Sequence, residues 1–317
     1  MTRRDFMQTT AALGAVAAFP RFTRAAPPSV SALRVHLFSK HLQFLDYAAM
    51  AAKAAELGFD GVDLTVRPRG HVEPAEVKSA LPRAAAALRR AGLEPVMCTT
   101  GINTMADPLS DTVLGAIADA GFTHLRLGYH QFSDEESLPA TLTSLRPVVR
   151  ELATALQRRG LQGAFQNHAG ARYVGASIWE LWQVLEDIDP TQIGLQFDIR
   201  HVTAERGLSW INEYRLAAPK IASLALKDSK WIEDPATGRG TAVYTPVGEG
   251  WVDWPAYFKL LQTHAIDVPA SLHLEYDLGG ADHGHRQLTV EPAVVYAAMQ
   301  RDLQRVRKLD AAARRSG

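Results

Sequence analysis

The chain repeats one junction between helix and strand, and that repeat leaves few folds open to it. Four helical patterns end in a glycine that an apolar strand segment follows, at Gly58, Gly92, Gly121 and Gly160. Glycine ends helices well because it adopts the left-handed backbone conformation without steric cost. Strands that alternate with helices in this way are typical of a parallel sheet with helical connections.

Eight strand segments are predicted after residue 30: Leu33–Ser39, Gly61–Val66, Glu94–Thr100, His124–Tyr129, Leu161–His168, Ile193–Asp198, Lys220–Asp228 and Ser271–Asp277. Helical patterns separate them: Asp46–Leu57, Val77–Ala91, Asp111–Ala120, Leu138–Arg159, Ile178–Ile188, Ser209–Ala217 and Trp254–His264. Eight units favour closure into a (β/α)₈ TIM barrel, an α/β fold of about 250 residues. An open doubly wound sheet is the alternative, and it is disfavoured because no Gly-x-Gly-x-x-Gly motif follows the first strand.

The first 26 residues have the layout of a twin-arginine signal peptide. Arg3 and Arg4 precede an apolar run, residues 11–19, and a small-residue cleavage site at Ala25-Ala26. The run is much shorter than the roughly 20 residues that span a bilayer, so we expect no stable membrane insertion. This route exports proteins already folded, which predicts a periplasmic destination. The alternative is an uncleaved anchor with a chance arginine pair.

The domain boundaries follow from this layout: a signal peptide at 1–26, the barrel at 31–300, and a basic C-terminal helix or tail at 301–317. The single cysteine, Cys98, excludes an internal disulfide framework. Lys+Arg and Asp+Glu number 34 each, and loss of the signal leaves the remainder near −3. That charge disfavours a nucleic-acid partner, which would need a basic surface.

Polar residues gather where the predicted strands end, which in a TIM barrel is the face that carries the active site. The sharpest group is Gln166-x-His168, Asp198-x-x-His201 and Glu275. Imidazole and carboxylate ligands from neighbouring strands suit one divalent metal ion: Mn²⁺, Mg²⁺, Co²⁺ or Zn²⁺. The predicted direct ligands are His168, Asp198 and Glu275, and Gln166 and His201 are further candidates. Alternatively, His201 caps a helix or supports a ligand, and Glu275 forms an ion pair with Lys227 or Arg126.

Several segments together resemble the sugar phosphate isomerase/epimerase group of the xylose-isomerase-like barrel superfamily, which also includes tagatose epimerases and endonuclease IV. The resemblance covers residues 33–300 and rests on Ser39-Lys40-His41-Leu42-Gln43, Gly61-Val62-Asp63-Leu64-Thr65-Val66-Arg67, Gln166-Asn167-His168-Ala169-Gly170, Phe197-Asp198-Ile199-Arg200-His201, Leu226-Lys227-Asp228, Pro246-Val247-Gly248-Glu249-Gly250 and His273-Leu274-Glu275-Tyr276. It implies a divalent metal at the barrel mouth, a sugar substrate, and proton transfer by a carboxylate on the carbon next to a carbonyl.

Two departures from that group change the expected chemistry. The resemblance implies four metal ligands, including two glutamates that act as paired bases. Gln166 stands at the first glutamate position, and the strand of the histidine ligand carries Ala225 and then Lys227. One carboxylate base, Glu275, remains, so elimination from or hydration of a keto-sugar by a single base is an alternative to epimerisation. Lys227, with its pKa lowered by burial beside a metal, is a candidate second proton carrier, unless it pairs with Asp198 or Glu275.

The catalytic candidates are therefore Glu275, Lys227 and His201. The candidate substrate-binding residues are Arg67, Arg126, Gln166, Asn167, His273 and Trp231, and the expected ligand is an unphosphorylated small-molecule sugar or keto-glycoside. A non-catalytic periplasmic sugar-binding barrel is a second hypothesis. An endonuclease IV-like phosphodiesterase is a third, and it is disfavoured because it needs several metals and a basic groove. The sequence is compatible with a homo-oligomer.

Overall fold

A computed structural model describes residues 31–315, and in this range eight parallel strands close into a barrel. The strands pair in chain order and the last closes on the first; they are β1 Val35–Phe38, β2 Gly61–Val66, β3 Met97–Thr100, β4 His124–Arg126, β5 Gln162–Gln166, β6 Ile193–Asp198, β7 Ile221–Leu226 and β10 Ala270–Leu272. All eight predicted barrel strands are confirmed. The predicted signal peptide lies outside the described residues.

The helices that connect the strands are α1 Tyr47–Glu56, α2 Val77–Arg90, α3 Ser110–Ala120, α4 Leu138–Gln157, α5 Ile178–Val184, α6 Ile199–Arg206, α7 Trp210–Ala217 and α8 Trp254–Thr263, and a further helix, α9 Pro292–Arg315, follows the last strand. The glycines at the helix ends have the predicted left-handed backbone: φ is +85° at Gly58 and +90° at Gly121. None of the helices between residues 31 and 315 is long and apolar enough to cross a membrane.

Five of the eight strands, β1, β4, β5, β7 and β10, end before their predicted last residue, whereas β2, β3 and β6 end as predicted. The eighth was predicted as Ser271–Asp277 but ends at Leu272. Leu274 continues the apolar pattern and is fully buried, yet its backbone N–H donates to His41 Nε2, 2.9 Å away, and makes no ladder bond. Apolar residues in a buried loop continue the apolar pattern of the preceding strand, so this pattern overestimates the length of the strand.

An antiparallel hairpin follows the seventh barrel strand, and it was not predicted. The segment predicted as Lys220–Asp228 divides into β7 and the first hairpin strand, β8 Asp228–Glu233, which pairs with β9 Gly240–Thr245. The predicted boundary at residue 300 falls inside α9, whose buried side chains include Val295, Met299 and Leu303. The C-terminal basic segment is thus continuous with a helix that packs on the barrel.

The alternation of side chains along each strand separates a helix-facing layer from a polar barrel interior. Phe197 of β6 contacts the rings of Tyr214 and Tyr257, which belong to helices α7 and α8. Inside the barrel, Asp63 Oδ1 accepts from Thr99 Oγ1 at 3.0 Å and Asp63 Oδ2 from Ser271 Oγ at 2.6 Å. The same alternation directs Asp198 and Lys227 into the mouth.

Candidate active site

Lys227 lies at the centre of the charged groups in the barrel mouth. It directly follows β7, and its side chain is 4% exposed. The ammonium nitrogen is 3.1 Å from Asp198 Oδ2 and 3.2 Å from Glu275 Oε2. Burial alone would lower the pKa of Lys227, but the two carboxylates outweigh it and raise the pKa above the ordinary value. The prediction of a lowered pKa is therefore wrong, and the alternative, an ion pair with these carboxylates, is what the structure shows.

Glu275, in the loop after β10, is held by two lysines. Its Oε1 accepts from Lys40 Nζ at 3.0 Å, and its Oε2 faces Lys227. Burial alone would raise the pKa of Glu275, but Lys227 and Lys40 together hold it well below its ordinary value. The carboxylate is therefore ionised at neutral pH. It can still accept a further hydrogen bond, because two carboxylate oxygens offer about four lone-pair positions.

Asp198, the last residue of β6, is tied to both neighbouring strands. Its Oδ2 accepts from Gln166 Nε2 at 2.6 Å as well as from Lys227. Its Oδ1 caps helix α6 by accepting from the backbone N–H of His201 at 3.0 Å. Asp198 is completely buried, so these partners replace all of its hydration.

The amide of Gln166 has a fixed orientation. Its oxygen accepts from Arg126 Nη1 at 2.8 Å and from the Tyr129 hydroxyl at 2.5 Å, while its N–H group faces Asp198. Gln166 therefore links an arginine to a carboxylate without carrying charge itself. A glutamate here would place a second negative charge against Asp198, which is why glutamine suits the position. The amide has few hydrogen-bonding positions left for a substrate.

The rings of His201 and His168 are in contact, with centroids 4.0 Å apart and planes tilted by 37°. The side chain of Arg200 donates to His201 Nδ1 at 3.0 Å, so the proton of the neutral ring is on Nε2. That Nε2 is 3.7 Å from Asp198 Oδ2 and has no hydrogen-bond partner in the described part of the chain. Burial lowers the pKa of both rings, to about 4 for His168, so both are neutral at neutral pH. His201 both lies at the start of a capped helix and presents an unused N–H.

Arg67 reaches the mouth from the end of β2. Its guanidinium is 5.6 Å from the ring of Phe38, and among residues 31–315 it makes no side-chain hydrogen bond or ion pair. Burial, followed by repulsion from Arg126, lowers its pKa to about 10, so it remains a cation. The ring of His273 stacks on the ring of Phe38, with centroids 4.2 Å apart, and His273 Nε2 is 3.1 Å from Ser271 Oγ.

Two predicted substrate-binding residues are not brought to the site. The side-chain amide of Asn167 accepts from the backbone N–H of Asp198 at 2.7 Å and donates to its carbonyl oxygen at 3.0 Å. Both ends of the Asn167 amide bond to the backbone of Asp198, so this side chain joins β5 to β6. Trp231 lies on β8, 40% exposed, with its ring 6.5 Å from that of Trp251. It does not line the cleft over Glu275.

A cleft of about 560 Å³ opens over Glu275. One wall is the hairpin, with Tyr244, and the other is the loop from Asp277 to Thr289. Ligand pockets for small molecules commonly occupy about 300–1,000 Å³, so a sugar fits this space. The ring of Tyr244 is also 5.7 Å from Lys227 Nζ and 4.4 Å from the Arg200 guanidinium, so the hairpin covers the cations of the mouth.

Asp228 fixes the root of this hairpin. Its two carboxylate oxygens accept from the backbone N–H groups of Ser229, Gly248, Gly250 and Val252 and from Trp254 Nε1, at 2.8–3.2 Å. A side chain at Gly250 would bring a Cβ to 2.1 Å from Asp228 Oδ1, which explains the glycine. The separated segments around Lys227-Asp228 and Gly248-Glu249-Gly250 are thus one structural unit.

We expect Asp228→Ala to lower the free energy of unfolding by at least about 3 kcal/mol, because several buried N–H donors lose a charged acceptor. Thermal unfolding followed by circular dichroism measures the loss. Asp234→Ala, in the turn at the other end of the hairpin, is the matched control and should cost much less, since Asp234 is solvated there. Equal losses in the two variants would contradict the anchoring role.

Residues 51–291 match the family model described as xylose isomerase-like TIM barrel. The chain belongs to this family. Residues 1–20 match a twin-arginine translocation pathway signal sequence. No curated protein sequence matches the chain.

Solved structures share the barrel at low sequence identity. D-psicose 3-epimerase with D-tagatose, from Clostridium cellulolyticum H10, is 11% identical with a TM-score of 0.65, over 88% of this chain and 99% of that one. The apo form of 3-keto-D-glucoside 4-epimerase from E. coli is 14% identical with a TM-score of 0.63, over 87% and 99%. A xylose isomerase-like TIM barrel protein from Mycobacterium smegmatis in complex with magnesium is 16% identical with a TM-score of 0.63, over 89% and 97%. At such identities the likeness shows the fold.

The residues at the mouth of this family member do not fit a divalent ion. Between residues 31 and 315, no group of three or more His, Cys, Asp or Glu side chains is arranged to hold one. Of the predicted ligands His168, Asp198 and Glu275, the two carboxylates converge, but on the ammonium of Lys227. The predicted three-ligand arrangement is therefore not assembled. The Nδ1 atom of His168 is 2.9 Å from the carbonyl oxygen of Ala169.

Two residues of the site were absent from the predicted set. Lys40 directly follows the predicted first strand and Tyr129 ends the predicted fourth, so both stood at the polar strand ends. Their sequence positions were a usable signal. What the sequence did not reveal is that Lys40 reaches across to Glu275 and that Tyr129 fixes the amide of Gln166.

Proposed function

We propose that the chain is an isomerase- or epimerase-type enzyme that moves a proton on the carbon next to a carbonyl group of an unphosphorylated sugar or keto-glycoside. The observation that carries this proposal is the ionised carboxylate of Glu275 at the floor of the cleft, next to a row of cations. Membership of a barrel family whose solved relatives include sugar epimerases supports the same chemistry.

Glu275 is the proposed base. When substrate oxygens attract Lys40 or Lys227, the carboxylate loses part of its ionic stabilisation. The effect of burial on Glu275 is then less fully offset by the lysines, and its pKa rises toward the range where a carboxylate accepts a proton effectively. His201, neutral and with a free Nε2–H, is the proposed hydrogen-bond or proton donor to a substrate oxygen. Arg67 and Arg126 are the proposed contacts for hydroxyl or carbonyl oxygens.

Deuterium exchange tests the proposal. A panel of aldoses, ketoses and 3-keto-glycosides is incubated with the protein in D₂O, with and without Mn²⁺, and followed by NMR. We expect one substrate to gain deuterium on the carbon next to its carbonyl. Turnover with no deuterium at any carbon would contradict proton transfer. Binding without turnover across the panel would favour a non-catalytic sugar-binding role.

A single-base lyase or hydratase is the second candidate function. It is favoured by Gln166, which cannot accept a proton from carbon and which is held between Arg126 and Asp198. Elimination next to a keto group needs one base, whereas epimerisation between two faces of a carbon is served by two. The mass of the product separates the candidates, because an isomer keeps the mass of the substrate and a lyase or hydratase product does not.

Arg67 provides a prediction about substrate binding. Its guanidinium makes no side-chain hydrogen bond or ion pair within residues 31–315, and a hydrogen bond to a charged group contributes about 1.5–3 kcal/mol. We therefore expect Arg67→Ala to raise KM roughly 10- to 100-fold with a smaller change in kcat. Steady-state kinetics measures both constants. Arg90→Ala, at an exposed end of α2, is the control, and an unchanged KM for Arg67→Ala would remove Arg67 from the binding site.

The twin-arginine signal supports export of a chain that folds before transport. We propose the periplasm as the working compartment, which agrees with an unphosphorylated substrate. Assembly into a homo-oligomer remains a prediction that light scattering can test.

A further inference from the structure

Each of the two carboxylates at the mouth, Asp198 and Glu275, is paired with an ammonium group. Asp198 and Glu275 carry two negative charges, and Lys227 and Lys40 carry two positive ones at 3.0–3.2 Å from their oxygens. A divalent ion between the same carboxylates would bring the same charge. Because a buried charge needs a partner, one arrangement excludes the other unless an ammonium moves away.

The atoms around Lys227 also lack the ligands that would favour a metal. Gln166 turns an N–H, and not an oxygen, toward Asp198, and its oxygen is taken by Arg126 and Tyr129. Ala225 precedes Lys227 by two residues, so it lies on the same face of the chain, and it is fully buried with no ligand atom to offer. The ammonium is thus the group that the two carboxylates share.

We propose that the ammonium group of Lys227 occupies the position of a divalent ion in this barrel and, with Lys40, polarises a substrate oxygen directly. The inference deepens the proposed function and rests on it for the chemistry. Lysine has three N–H donors, and Asp198 and Glu275 use two of them. The third is the donor that this proposal assigns to the carbonyl oxygen of a sugar bound against Glu275.

The step balances without a further reactant. The C–H bond next to the carbonyl breaks, its proton forms a bond to Glu275, and its electron pair forms the carbon–carbon double bond. The π pair of the carbonyl moves to the oxygen, where the negative charge lies against the ammonium of Lys227, which keeps its proton. The hydroxyl proton on the carbon that lost its hydrogen then passes to the former carbonyl oxygen, and Glu275 returns its proton to the former carbonyl carbon. The carbonyl has then moved by one carbon and the isomerisation is complete.

Manganese binding tests the inference independently of any turnover. Full-length protein is treated with EDTA, dialysed and titrated with Mn²⁺, and the electron paramagnetic resonance signal of free Mn²⁺ is recorded. We expect the wild type to leave the signal unchanged. The double variant Lys227→Ala/Gln166→Glu removes the ammonium and gathers three carboxylates, so we expect it to bind one equivalent and to melt at a higher temperature with Mn²⁺.

The matched control is Lys230→Ala/Gln162→Glu, which makes the same two types of substitution away from Asp198 and Glu275. Lys230 lies on β8, and Gln162 lies at the start of β5. This control should behave as the wild type does. Stoichiometric Mn²⁺ binding by the wild type, or no binding by the Lys227→Ala/Gln166→Glu variant, would overturn the inference. Neither readout needs a substrate, so failure of the sugar panel would count against the proposed function and leave this result intact.

Discussion

Replacing Glu275 by glutamine is expected to lower kcat by about 10²- to 10⁴-fold, because general-base catalysis contributes about that much and glutamine cannot accept a proton. The two side chains have nearly the same shape, so substrate binding should change far less than turnover. Steady-state kinetics on the sugar found in the D₂O panel measures kcat and KM separately. The same variant should no longer exchange deuterium into the substrate.

Asp277→Asn is the matched control, since Asp277 lines the same cleft but contacts neither lysine. It should keep most of its activity. A Glu275→Gln enzyme with wild-type kcat would show that another group accepts the proton. A large rise in KM at constant kcat would instead make Glu275 a substrate-binding residue.

Replacing Lys227 by methionine is expected to destabilise the folded chain by about 3–5 kcal/mol, because breaking a buried ion pair leaves an uncompensated charge. Here two carboxylates, Asp198 and Glu275, lose their common partner, so activity should fall as well. Lys230→Met, exposed on the hairpin three residues further on, is the control and should have little effect. Chemical or thermal unfolding of the two variants at neutral pH gives the comparison.

The pH dependence of this loss has a definite sign. In the wild type the lysines hold the pKa of Glu275 below its ordinary value of 4.5, so its ion pairs stabilise the fold above that pH and lose their effect as the pH falls further. In Lys227→Met the repulsion between carboxylates is relieved when one of them gains a proton. The difference in stability between wild type and variant should therefore narrow on acidification. A constant difference would indicate lost packing and no electrostatic role.

The sequence predicted the barrel and the face that carries the site, because both depend on patterns that repeat. Glycine stops such as Gly121 mark four of the returns to the sheet, and the alternation of side chains sends Asp198 into the mouth whatever the details of the loops. The convergence of Asp198 and Glu275 is therefore a property of the fold, and it was predictable from strand ends alone.

The partner of the two carboxylates was not predictable in the same way. In a sequence, a lysine near two acids is equally compatible with a proton carrier, an ion pair or a neighbour of a metal ion. The distances from Lys227 Nζ to Asp198 and Glu275 decide among these roles. The hairpin was missed because β8 and β9 are mostly exposed, so they lack the apolar run that marks a buried strand. The contacts of Asp228 join residues more than twenty positions apart, which no local pattern shows.

The anchoring of the hairpin by Asp228 limits how a substrate can enter. The Asp228 carboxylate accepts five hydrogen bonds that hold both ends of the hairpin against the barrel. The strands β8 and β9 therefore cannot move away from the barrel at their base. Passage has to occur through bending of the distal turn, residues 234–239, or through movement of the opposite wall. Backbone amides near the base should then exchange with solvent slowly and those of the distal turn quickly, with or without a bound sugar.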